Sequence, residues 1–186
     1  MKQAPAFLNL VVAATLTLTS GVAPVHAQTA DLDRLLEQLA DPEEDRWARL
    51  ERQILREWGR SGSASIDLVF QRGQEALQAG AAEAAIVHFS TVIDHAPDFA
   101  EAWNGRATAY FLANRLGQSL SDIEQVLIRN PRHFGALAGL GMIMEQLDRP
   151  EEARRAYEAS LAIHPHQQSV IDALARLDLA QAGEAL

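Results

Sequence analysis

Pro97, Pro131 and Pro165 stand 34 residues apart, and the residues before each one repeat in phase with it. A fixed period of that length marks a stacked array of helical units rather than a single globular core. Counting back from the prolines gives three windows, 66–99, 100–133 and 134–167. Their eighth places hold Gly73, Ala107 and Gly141, and their twentieth places hold Ala85, Ser119 and Ala153. Phe89, Ile123 and Tyr157 share the twenty-fourth place, and Val92, Val126 and Ser160 the twenty-seventh.

Small side chains at places eight and twenty let two antiparallel helices cross closely. The large residue at place twenty-four then fills the space behind the crossing. Turn chemistry sits midway in each window, at Ala79-Gly80, at Asn114 to Gly117 and at Asp148-Arg149-Pro150, where one helix can stop and the next begin. The proline closes each pair, because the residue before it is pushed out of helical angles.

With Trp103, Ala107, Tyr110, Ser119, Ile123, Val126 and Pro131, the middle window resembles the tetratricopeptide repeat (TPR). The other two windows follow the same pattern more loosely. Place seven holds Arg72, Arg106 and Leu140, so two windows depart from the usual Leu there. An arginine at that place is expected to lay its stem on apolar surface and lift its head to water. The resemblance implies an all-α fold, an α-solenoid of three TPR hairpins. A helix pair should precede it, within 28–65, and a capping helix and tail should follow, within 168–186.

The ends carry their own patterns. Lys2, an apolar run from Phe7 to Leu18, and Val25-His26-Ala27 before Gln28 fit a secretory signal peptide over 1–27, cut after Ala27. The alternative is an uncleaved membrane anchor, against which the shortness of the run and Pro24 count. A cleaved signal would place the protein in the periplasm of a bacterium with two membranes. The chain has no cysteine, so it needs no disulfides in an oxidising compartment. Leu32, Leu35, Leu36 and Leu39 form one apolar stripe, and Trp47, Leu50, Ile54 and Trp58 form a second, with Gly59 to Ser65 a loop. This pair breaks the repeat pattern and is expected to cover the open face of the first repeat, or else to be a separate docking hairpin. Val170, Ile171, Leu174 and Leu177 should line the packed side of a last helix, and Ala180 to Leu186 should fray.

Catalytic and cofactor motifs are missing. Gly139-Leu140-Gly141 has no third glycine in phase for a dinucleotide, and neither Gly-x-Ser-x-Gly nor His-Glu-x-x-His occurs. His133, His164 and His166 could form a metal site, but their place beside prolines reads as loop polarity. No catalytic role, cofactor or metal is therefore expected. Arg49, Arg52, Arg56 and Arg60 fall on one ridge of the second N-terminal helix. They could grip an anionic partner or lipid surface, or be a solvated face paired with Asp45, Glu51 and Glu57. A net charge of -9 speaks against nucleic acid.

By resemblance, the first helix of each hairpin lines a concave groove. The positions turned inward are Asp67, Phe70, Gln74, Leu77 and Gln78, then Glu101, Asn104, Thr108, Phe111 and Leu112, then Gly135, Ala138, Met142, Glu145 and Gln146. None is Lys or Arg, so the carboxylate clamp of chaperone-binding TPR proteins is absent. The expected partner is a protein or peptide with apolar anchors and basic flanks. Phe70, Phe111 and Met142 would hold the anchors, Gln74 and Asn104 the peptide backbone, with Glu101 and Thr108 beside them. The expected function is a non-enzymatic scaffold of the cell envelope, the alternative being the soluble arm of a membrane-anchored assembly complex. Self-association through the ends of the stack stays open.

Overall fold

The computed structural model describes residues 25–184 except Pro42, with side chains from residue 31 to residue 180, and these residues hold nine α-helices and no strand. They are α1 (Val25–Leu39), α2 (Trp47–Trp58), α3 (Ala64–Gln78), α4 (Ala82–His95), α5 (Ala100–Leu112), α6 (Leu116–Arg129), α7 (Phe134–Gln146), α8 (Pro150–Ile163) and α9 (Gln168–Glu184). The apolar run expected to be a signal peptide lies outside the described residues, and Ala27 falls in the first turn of α1. Helices α3 and α4, α5 and α6, and α7 and α8 form three hairpins stacked in chain order, with α9 on the last.

Each hairpin turns at the same place of its window. Gly80, Asn114 and Asp148 have φ of 71°, 56° and 56°, left-handed values that Gly, Asn and Asp tolerate best. The next amide in each turn reaches back to close the helix, as Ala81 N–H does to Ala76 O at 2.8 Å and Arg115 N–H to Tyr110 O at 2.8 Å.

The stack is held by large side chains seated on glycines. Phe89 is fully buried between two helices. A Cβ at Gly73 would stand 2.7 Å from its ring, and one at Gly105, on the next hairpin, 2.5 Å. Tyr157 presses on Gly141 in the same way. The middle repeat carries the smaller Ile123 opposite Ala107, so volume is traded across the crossing. Ser119 at the close approach donates its hydroxyl to Ala107 O at 2.7 Å, leaving its own polar atom satisfied.

Arg106 behaves differently from expectation. Its guanidinium does not lift into water but grips Asp122 at 2.7 and 2.9 Å and Ser90 at 3.0 Å. Asp122 is 4% exposed, and a carboxylate that deep needs the bidentate cation. Arg72, which has no such acid beneath it, stays exposed.

The N-terminal pair also corrects the sequence reading. It does not cover the first repeat. It lies along the loops that join the repeats, with Leu35, Leu36, Leu39, Leu50 and Ile54 sharing a core with Phe134. Trp58 stacks on His133 at 4.6 Å and Trp47 on His166 at 5.3 Å. The two tryptophans are eleven residues apart, about 16 Å along a helix, so one helix reaches two successive loops. Asp33 meets Arg132 at 3.1 Å, and His166 Nε2 lies 3.2 Å from Asp41 O. The histidines beside the prolines thus line the seam. The loop after α2 is shorter than expected, since α3 begins at Ala64. Asp67 accepts from Ser61 N–H at 2.9 Å and is spent on that loop rather than on a groove. At the other end, Val170, Ala173 and Leu177 are buried, Ile171 is 39% exposed, and α9 continues to Glu184.

Two expected outcomes follow from this packing. Gly141→Ala should cost about 1–3 kcal/mol through overpacking against Tyr157, and Phe89→Ala about 3–5 kcal/mol through the cavity it leaves. Thermal melts measure both. The seam should also depend on pH. His164 is 1% exposed, its Nδ1 has no hydrogen-bond partner among the described residues, and its Nε2 lies 3.5 Å from Glu51. Burial pushes its pKa below the ordinary imidazole value, against the pull of Glu51 and with help from His166. A docked imidazole that resists protonation favours docking above its free pKa of about 6.5 and loses that contribution as pH falls below it. Tryptophan emission followed from neutral to acid pH should show the seam loosening, and His164→Gln should flatten the change.

Candidate binding groove

Helices α5 and α7 bring inward-facing positions together. Asn104, Thr108 and Phe111 recur at helical spacing on α5, and Gly135, Gly139 and Met142 do so on α7, so each set shares one helix face. They meet around a cavity of about 110 Å³ floored by Ala107, Ile123 and Ile143. Four of the expected residues, Asn104, Thr108, Phe111 and Met142, therefore share one site. No charged side chain lines it.

The site's polar groups are few. Thr108 spends its hydroxyl on Asn104 O at 3.0 Å. Asn104 Nδ2 donates weakly to Glu101 Oε2 at 3.4 Å, and its carboxamide oxygen has no partner among the described residues. That oxygen can accept from a guest's backbone N–H. Met142 is 49% exposed and also borders a second cavity, of about 320 Å³, that runs on to Tyr157, Asp172 and Arg176. It stands on the divide between the two, and its flexible thioether suits an adaptable contact.

The remaining expected residues lie elsewhere. Phe70 is 5% exposed, with its ring 5.6 Å from Phe89 and 4.9 Å from Phe99. It belongs to the core of the first repeat, where burial against these two rings leaves it no face for a guest. Gln74 is exposed on α3 and lines neither cavity. Glu101 turns to the edge, where Oε1 meets His133 Nε2 at 2.8 Å. It borders a cavity of about 480 Å³ between the N-terminal pair and the repeat loops, with Trp58, Phe99 and Arg132. Glu145 is occupied by the Tyr157 hydroxyl, which donates to it at 2.5 Å. Burial, then this bond, push the Tyr157 phenol well above its usual range.

Gly135 is one of the expected inward positions, whereas sequence reasoning missed Gly139. Both line the cavity, and neither puts a side chain into it. The Gly and Ala residues at 135, 136, 138, 139 and 141 were the available signal. No group of three or more His, Asp or Glu among the described residues is arranged to hold a metal ion, and no described helix is long and apolar enough to cross a membrane.

A tetratricopeptide repeat family model matches residues 70–123 and 113–167, together more than half of the chain. A TPR repeat-containing protein of Rhizobium etli is 38% identical over 135 residues, 72% of this chain and 66% of that protein. A CTR9 homolog of Arabidopsis thaliana is 30% identical over 109 residues, only 10% of its length. Among solved structures, the first TPR of Spaghetti (RPAP3) bound to the HSP90 peptide SRMEEVD matches with a TM-score of 0.61 at 23% identity, covering 63% of this chain and 95% of that one. MamA from MSR-1 matches over more of the chain, 86% against 91%, with a TM-score of 0.54 at 18% identity. Helical hairpins in a fixed 34-residue register, matched by the family model across all three windows, place this chain in the tetratricopeptide repeat family.

Proposed function

We propose that this protein is a non-enzymatic scaffold of the bacterial cell envelope that holds a partner peptide against α5 and α7. The observation that carries the reading is the uncharged cavity shared by Asn104, Thr108, Phe111 and Met142. Its volume suits one aliphatic side chain of the guest, since an apolar hollow of about 150 Å³ is enough for benzene. The exposed Met142 and half-buried Phe111 supply apolar contact, and Asn104 supplies one acceptor for main chain.

The RPAP3 domain is bound to a peptide that ends in acidic residues. The inward positions here carry no Lys or Arg, and Arg176 at the C-terminal border faces Glu145 at 3.6 Å. An apolar anchor with neutral or basic flanks fits this groove better than an acidic tail. Export through a cleaved signal peptide rests on Lys2, the apolar run and the small residues before Gln28.

A photo-crosslinking amino acid at Met142 tests the groove in cells. A discrete adduct should form there and be missing when the same probe stands at Val87 or Leu179, which are 63% and 74% exposed outside the cavity. Phe111→Ala should reduce the adduct at least tenfold, as loss of an anchoring aromatic costs on the order of 2 kcal/mol. Equal labelling at all three positions would count against a groove guest. Fractionation of the envelope, with N-terminal sequencing, tests export.

A further inference from the structure

Helix α2 has two unlike faces. Trp47, Leu50, Ile54 and Trp58 are sunk in the seam with the repeat loops. On the opposite side stand Arg49, Arg52 and Arg56, all exposed. Helix α2 ends at Trp58, so Arg60 leaves the expected ridge, and it pairs with Glu57 at 3.2 Å. Asp45 lies before the start of α2, next to Arg46, and makes no ion pair with the row, and the other acids near it are engaged elsewhere. Glu51 turns to His164, Glu57 to Arg60, and Glu44 to Arg46 at 2.7 Å. Arg49, Arg52 and Arg56 make no ion pair or side-chain hydrogen bond among the described residues, whereas Arg34, Arg106, Arg115, Arg132, Arg149 and Arg154 each meet a carboxylate.

Three unpaired guanidiniums in a chain of net charge -9 are a local excess that its own abundant carboxylates do not quench. They span about 10 Å along one side of α2, so a flat anionic surface can meet all three at once. Leu55, 43% exposed, stands beside Arg52 and Arg56. An apolar side chain among arginines suits the boundary between headgroups and acyl chains, where both are accommodated.

We propose that the outer face of α2 is a docking surface for anionic lipid headgroups. It acts by charge, because the apolar face of the helix is already buried against the protein. The face lies on the loop edge of the stack, clear of the cavity between α5 and α7, so a lipid-held molecule keeps that cavity open. The surface stands whether or not the groove binds a peptide.

Co-sedimentation of the full chain with vesicles tests it. Phosphatidylcholine vesicles are compared with vesicles that also contain phosphatidylglycerol, at low and high salt, for the natural protein and for R49Q/R52Q/R56Q. Circular dichroism and a thermal melt show that the variant is folded. The natural protein should prefer the anionic vesicles and lose that preference at high salt. The variant should bind them roughly a hundredfold more weakly, about fivefold for each arginine. Equal binding to both vesicle types, or unchanged binding by the variant, overturns the proposal. Retention on immobilised polyglutamate without a preference for phosphatidylglycerol also overturns it, in favour of an acidic protein partner.

Discussion

The fold depends on a close contact between a large side chain and the absence of one. Phe89 sits where the Cβ atoms of Gly73 and Gly105 would be, so a single ring joins a helix to its own hairpin partner and to the next hairpin. Tyr157 on Gly141 repeats half of that contact at the far end. The middle repeat reaches the same fit with a smaller pair, Ile123 and Ala107. Because interiors are close-packed, the complementary volumes fix how near the helices come. That distance sets the curvature of the inner face and hence the cavity between α5 and α7.

The repeat architecture was legible because it is written locally and three times. Proline, the small residues at two places, and Gly80, Asn114 and Asp148 at the turn each act on their own neighbours. The resemblance to the repeat family named the inward positions, and four of them, on α5 and α7, border one cavity. Phe70 misled because its inward register does not reveal that Phe89 and Phe99 reach across to enclose it. Arg106 misled for a similar reason. Its partner Asp122 is sixteen residues away, and nothing local announces a buried carboxylate.

The N-terminal pair was least legible, since its destination is set by contacts far away in the chain. The signals were present but unpaired: two tryptophans on one helix, and histidines beside two prolines. Joined, they form a seam of stacked rings that holds both buried polar side-chain atoms lacking a partner among the described residues, Trp58 Nε1 and His164 Nδ1. Such atoms cost stability, so the seam carries a penalty that the repeat core does not. In the repeat core the buried hydroxyls of Ser119 and Ser160 both have partners.

A double-mutant cycle on Gly73 and Phe89 tests the central contact most directly. If the ring occupies the space left by the missing Cβ, Gly73→Ala should destabilise the natural protein. It should do so much less in a Phe89→Leu background, giving a coupling energy above about 1 kcal/mol. Strict additivity of the two substitutions would mean that the ring and the glycine do not touch, and the register of the whole stack would be wrong.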